Sequence, residues 1–189
     1  MVDPINRFLP EFCWRDQPLD VDGAVIHYIS VRPEHPDLNE ESIAGRYDVD
    51  TIFNFLVELN RPGPERGPIF KKSDEGRGWG SYHYLISRSG DVFCLVPPDR
   101  QAYHAGRSEL GGRTDLNRWT LGIALAGDGE DEFDGAQYVS CAELLVNHKL
   151  EMSNVSGHED VAVPEGRRKD PGPKFDWHRL AEILEKADD

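Results

Sequence analysis

Ala24-Val25-Ile26-His27-Tyr28-Ile29 is a β-rich run held between Asp22-Gly23 and Ser30, and it reads as a central strand. One residue in it is out of character. A polar side chain inside an apolar strand costs free energy unless it finds a partner. His27 is therefore either a hydrogen-bonded core histidine or a ligand to a metal.

Working outward, Thr120-Leu121-Gly122-Ile123-Ala124-Leu125-Ala126-Gly127 is apolar on both faces, as expected of a buried inner strand. Tyr82 to Ile86 and Asp91 to Val96 flank Ser87-Arg88-Ser89-Gly90, the pattern of two antiparallel strands joined by a tight turn. Alternation puts Tyr82, Tyr84 and Ile86 on one face and His83 with Leu85 on the other, so His83 is expected to be buried and structural. Val155 belongs to a further short strand.

Helices are expected between the strands. Ile52, Phe55, Leu56 and Leu59 fall at helical spacing, with Asp48 or Asp50 as cap. A second helix runs from about Ala136 to Leu150 behind Asp134, and a last one from Phe175 to about Lys186, capped by Asp176. Mixed strands and helices with both hairpins and crossovers predict a single α/β domain, a mixed central β-sheet flanked by helices. One domain is also the prior for 189 residues. Residues 1–23 read as an irregular N-terminal arm and about 24–186 as the core. The Gly-, Pro- and charge-rich connection from residue 60 to 80 is either a functional lid or poorly ordered.

Composition removes several function classes. A net charge of −14 disfavours nucleic acid or an anionic membrane as partner. No apolar run approaches the roughly 18 residues of a membrane span, so no stable membrane insertion is expected. Met1 to Arg7 lacks a basic region followed by an apolar core, which points to synthesis in the cytoplasm without a signal peptide. Cys13, Cys94 and Cys141 are odd in number and far apart; they are expected to be reduced and mostly buried. The chain is expected to be a monomer.

A second stretch carries chemistry. Gly157-His158-Glu159-Asp160 through Arg168-Lys169-Asp170-Pro171-Gly172-Pro173 is too rich in Gly and Pro for a regular helix or strand, so its side chains are aimed by a fixed loop. The imidazole of His158 and the carboxylate of Asp170 are good zinc ligands, and a catalytic zinc takes about three protein ligands with one position left for water. The third ligand must come from elsewhere. His35, His148 and His178 lie among charged residues and are expected to be solvated surface groups.

These residues, taken in order, match a known pattern. Val25-Ile26-His27-Tyr28, Ser81-Tyr82-His83-Tyr84-Leu85-Ile86 with Gly90-Asp91, Ala102-Tyr103-His104-Ala105-Gly106, Asn117 with Leu121-Gly122-Ile123, Gly157-His158, and Lys169-Asp170-Pro171-Gly172-Pro173-Lys174-Phe175-Asp176-Trp177 follow one another along residues 24–184. The sequence so resembles the zinc-dependent N-acetylmuramoyl-L-alanine amidases of the second amidase type, a family of murein-recycling enzymes, phage endolysins and peptidoglycan-recognition proteins. The resemblance implies one Zn2+ held by His27, His158 and Asp170, with peptidoglycan or a muropeptide as substrate. It implies Lys169 as the cation beside the oxyanion, and substrate contacts from His104, in the groove or near the metal, and from Asn117. Recycling enzymes carry a glutamate where this chain has Ala124. Short phage-type amidases also lack it and carry a tyrosine at the place of Tyr82, so Tyr82 is expected to orient or deprotonate the attacking water. That pairing favours a phage-type endolysin that acts on the cell wall after release. Asp170, where many phage and animal relatives have a thiolate, favours a cytosolic recycling amidase. A non-catalytic peptidoglycan-binding module is the third reading.

Overall fold

Seven consecutive residues from Gly23 to Ile29 form the strand β3, and alternation along it decides what each side chain meets. Ala24 and Ile26 join the cluster beneath two helices, whereas Ile29 joins the cluster beneath a third. His27 therefore points to the second side. The computed structural model describes residues 2–31, 47–61 and 80–187; His35 and most of the 60–80 connection lie outside them.

The strands in chain order are β1 (Ile5–Asn6), β2 (Trp14–Pro18), β3 (Gly23–Ile29), β4 (Tyr84–Ile86), β5 (Val92–Cys94), β6 (Arg100–Ala102), β7 (Glu109–Leu110), β8 (Arg113–Thr114), β9 (Thr120–Ala126) and β10 (Val155–Gly157). Six of them form one sheet in the order β1-β5-β4-β9-β3-β10. The β4 and β5 pair is antiparallel, and the other neighbours run parallel. This is the mixed central sheet the sequence implies. The N-terminal arm is more ordered than expected: β1 extends the sheet beside β5, and β2 pairs with β6 across a register shift between Arg15 and Pro18.

Among the described residues the α-helices are α1 (Val49–Asn60), α2 (Gly135–Asn147), α3 (His158–Val161) and α4 (Trp177–Ala187). Asp48 caps α1 by accepting from the Thr51 N–H at 2.9 Å. Asp176 does the same for the Arg179 N–H at the start of α4. The helices α2 and α4 cover Ile26, Tyr84, Ile86, Leu121, Ile123 and Leu125, while Ile52 and Leu56 of α1 cover Leu85, Ala124 and Ala126. Gln137 ties α2 to the sheet: its amide donates to the Ile86 and Ala126 carbonyls and accepts from the Asp134 N–H. All three cysteines are buried and free.

Two expectations about side chains need correction. Tyr82 precedes β4 and breaks its alternation; it packs on the α1 side of the sheet with Leu85, while Tyr84 and Ile86 face α2. His148 is half-buried just past α2, with its Nε2 2.8 Å from the Tyr84 hydroxyl, because the chain end of that helix folds back on the sheet. His178 is exposed, as expected.

His83 is fully buried, and both ring nitrogens are engaged. Its Nε2 lies 2.8 Å from the Arg100 carbonyl, and its Nδ1 accepts from the Gly122 N–H at 2.8 Å. Burial pushes its pKa down to about 4. A histidine depressed in this way contributes stability that is fully present above its unfolded pKa of about 6.5 and is lost as pH falls from there toward about 4. The loss is on the order of 3 kcal/mol. In urea unfolding, the stability difference between the wild type and His83→Gln should therefore shrink by roughly 2 kcal/mol or more between about pH 7.5 and about pH 4.5. A pH-independent difference would contradict this account.

Candidate metal centre

The parallel strands β3 and β10 lie in register, Ser156 opposite Val25 and Gly157 opposite Ile26. The next residue on each side is His158 and His27, so strand spacing, about 4.8 Å, brings the two rings together with centroids 4.5 Å apart. His158 stands at a junction rather than in a loop, since β10 ends at Gly157 and the helical turn α3 begins with His158 itself. Gly157 is needed there, because a Cβ would come within 3.0 Å of Pro171.

Asp170 comes from the irregular segment that follows. The Glu159 N–H donates to the Asp170 carbonyl at 2.8 Å, and the Arg167 guanidinium donates to the carbonyls of Val163, Ala105 and Arg107. With its backbone fixed, Asp170 places Oδ2 2.8 Å from His27 Nδ1 and 3.0 Å from His158 Nδ1. One nitrogen from each ring and one carboxylate oxygen lie within 4.8 Å of one another.

The hydrogens identify what this arrangement wants. His158 Nε2 lies 3.2 Å from the Ala105 carbonyl, which can only accept. Its hydrogen is therefore on Nε2, and its Nδ1 presents a lone pair to Asp170. Burial drives the pKa of His27 down to about 4, although Asp170 pulls it up. Lone pairs thus converge on one buried point, which is repulsive unless a cation occupies it. A donor set of two imidazole nitrogens and one carboxylate oxygen fits zinc.

The other expected site residues divide. Tyr82 packs against His27 with ring centroids 5.0 Å apart and lines the cleft. Burial and the charge of Asp170 push its pKa further up, which favours the neutral hydroxyl. His104 is buried at the cleft wall, with Nδ1 3.2 Å from His27 Nε2 and Nε2 3.1 Å from the Thr120 carbonyl. Asn117 does not reach the cleft. It is buried, and its Oδ1 accepts from the N–H groups of His104 and Ala105 at 3.0 and 2.8 Å. Its role is to shape the His104 loop.

Beside His158 and Asp170 lies a cleft of about 560 Å3, lined also by Tyr28, Phe55, Tyr82, Tyr103, Arg168 and Lys169. The volume suits a small peptide or sugar derivative. Sequence reasoning passed over Arg168, whose positive charge is felt at both His27 and Tyr82. No helix among the described residues is long and apolar enough to cross a membrane.

With the geometry in hand, comparison with known proteins is direct. A family model described as N-acetylmuramoyl-L-alanine amidase matches residues 17–173. The chain is 35% identical over 175 residues to the 1,6-anhydro-N-acetylmuramyl-L-alanine amidase AmpD of Haemophilus influenzae, covering 90% of this chain and 86% of that protein. It is 39% identical over 169 residues to the AmpD of Enterobacter cloacae, covering 87% and 81%. A crystal structure of a selenomethionine AmpD derivative superposes with a TM-score of 0.67 at 26% identity, covering 97% of this chain and 96% of that one. The chain belongs to the N-acetylmuramoyl-L-alanine amidase family, whose amide hydrolysis is the chemistry this centre is built to serve.

Proposed function

We propose that the protein is a zinc-dependent amidase that cuts the bond between N-acetylmuramic acid and L-alanine in soluble anhydro-muropeptides. The observation that carries the reading is the convergence of His27, His158 and Asp170 beside an open cleft that His158 and Asp170 line. The substrate class draws its support from the AmpD relatives, named for a 1,6-anhydro substrate and matched over most of their length. That support favours muropeptide recycling over the phage-type endolysin that Tyr82 and Ala124 suggested.

His27, His158 and Asp170 would hold the ion, and when bound it would supply Lewis acidity toward a carbonyl and a water of lowered pKa. Tyr82, kept neutral by burial, donates its hydroxyl hydrogen to orient the attacking oxygen. A cation at the rim meets the negative charge that develops on the carbonyl oxygen. The sequence suggested Lys169 for this part. We assign it to Arg168, which lines the cleft and whose charge is felt at both His27 and Tyr82. Its planar guanidinium also offers paired donors to an oxyanion.

Two measurements check these assignments. The zinc-loaded protein should release free stem peptide from soluble anhydro-muropeptides faster than it clears intact sacculi, with activity lost in His27→Ala and Asp170→Asn. Faster cleavage of sacculi would restore the endolysin reading, and stoichiometric zinc without any amide cleavage would point to a binding module. Separately, Arg168→Ala should lower kcat by about 10²–10³-fold, and Lys169→Ala should leave kcat within about threefold. The reverse ranking would return the role to Lys169.

A further inference from the structure

A zinc ligand must offer a bare nitrogen, and an imidazole can present either one. What selects Nδ1 in His27 is the hydrogen bond at its other nitrogen. That partner is unusual, being a second histidine, His104, which can itself be donor or acceptor. The Thr120 carbonyl resolves the ambiguity. It only accepts, and it lies 3.1 Å from His104 Nε2, while the Thr120 hydroxyl hydrogen is committed to the Leu116 carbonyl. His104 therefore carries its hydrogen on Nε2 and offers a lone pair at Nδ1. The hydrogen between the two rings then belongs to His27 Nε2, and His27 Nδ1 is left bare toward Asp170.

We infer that His104 is a positioning residue: a relay from the Thr120 carbonyl through the His104 ring fixes His27 in the tautomer and orientation that binds the metal. The inference rests on the zinc reading of the site. It gives His104 a task other than gripping substrate.

The fold around His104 is arranged for this. Asn117 clamps the backbone at His104 and Ala105, and the ring lies directly over Gly122 of β9. A Cβ at residue 122 would stand 2.5 Å from His104 Cγ, so glycine there is the condition for the ring to reach His27. His83 closes the far side, with its ring 5.7 Å from that of His104.

The geometry separates two substitutions of His104. Asparagine carries its side-chain oxygen near the place of Nδ1 and can still accept from His27 Nε2–H. Alanine cannot. Zinc affinity, read by competition with a chelator on the purified full-length protein, should fall by about 10–100-fold in His104→Ala and stay within about threefold of wild type in His104→Asn. Gly122→Ala, which touches no ligand and displaces the ring, should weaken zinc in the same direction as His104→Ala. Tautomers in the zinc-loaded wild type, read by nitrogen-15 NMR of the imidazoles, should show His104 protonated at Nε2 and bare at Nδ1. That reading needs no variant and no substrate, so it stands or falls apart from the amidase assignment. A His104 ring protonated at Nδ1, or wild-type zinc affinity in His104→Ala, would overturn the inference.

Discussion

Lone pairs brought together out of water repel, and the site depends on the sheet holding them there regardless. Register between β3 and β10 sets His27 and His158 side by side, and the backbone bond from Glu159 to Asp170 brings the carboxylate oxygen to both rings. The hydrogens that would relieve the repulsion have been placed on the outer nitrogens, by the Ala105 carbonyl on one ring and by His104 on the other. A cation is then the cheapest remaining way to satisfy the group. The same low polarity that makes the empty arrangement unfavourable makes the occupied one strong.

Much of this was legible in the sequence. The strands β3 and β9 announce themselves because a buried strand in a parallel sheet is apolar throughout, and His27 stands out against that background. Asp48, Asp134 and Asp176 mark the helix starts by their capping chemistry. What resisted reading is equally physical. The strand β1 has two residues and β2 carries a register shift, so neither leaves a periodic pattern to count. Asn117 has the groups a ligand would need, yet its oxygen is spent on two backbone donors that only the folded loop brings near. Tyr82 lies two residues ahead of its strand, where alternation no longer binds it. His148 sits at a helix end, and whether such a residue turns to solvent or back to Tyr84 is decided by the path of the chain beyond it.

The resemblance to the amidases pointed to His27, His158 and Asp170, which the fold brings together, but residues that act through others were harder to foresee. His83 and His104 are two histidines in a row of buried imidazoles beside β9. A sequence shows four candidate rings and cannot say which face the ion. Orientation comes from neighbours that carry no signature of their own: the carbonyls of Arg100, Thr120 and Ala105, and the bare backbone of Gly122.

The three side chains stand on unequal supports: His27 inside the inner strand β3, His158 just past the short edge strand β10, and Asp170 on an irregular segment tethered by a few backbone bonds. An inner strand opens only with the whole domain, whereas edges and irregular segments open locally and often. His27 is thus the fixed point of the group, and Asp170, which lines the cleft, is the member whose backbone can move without disturbing the sheet.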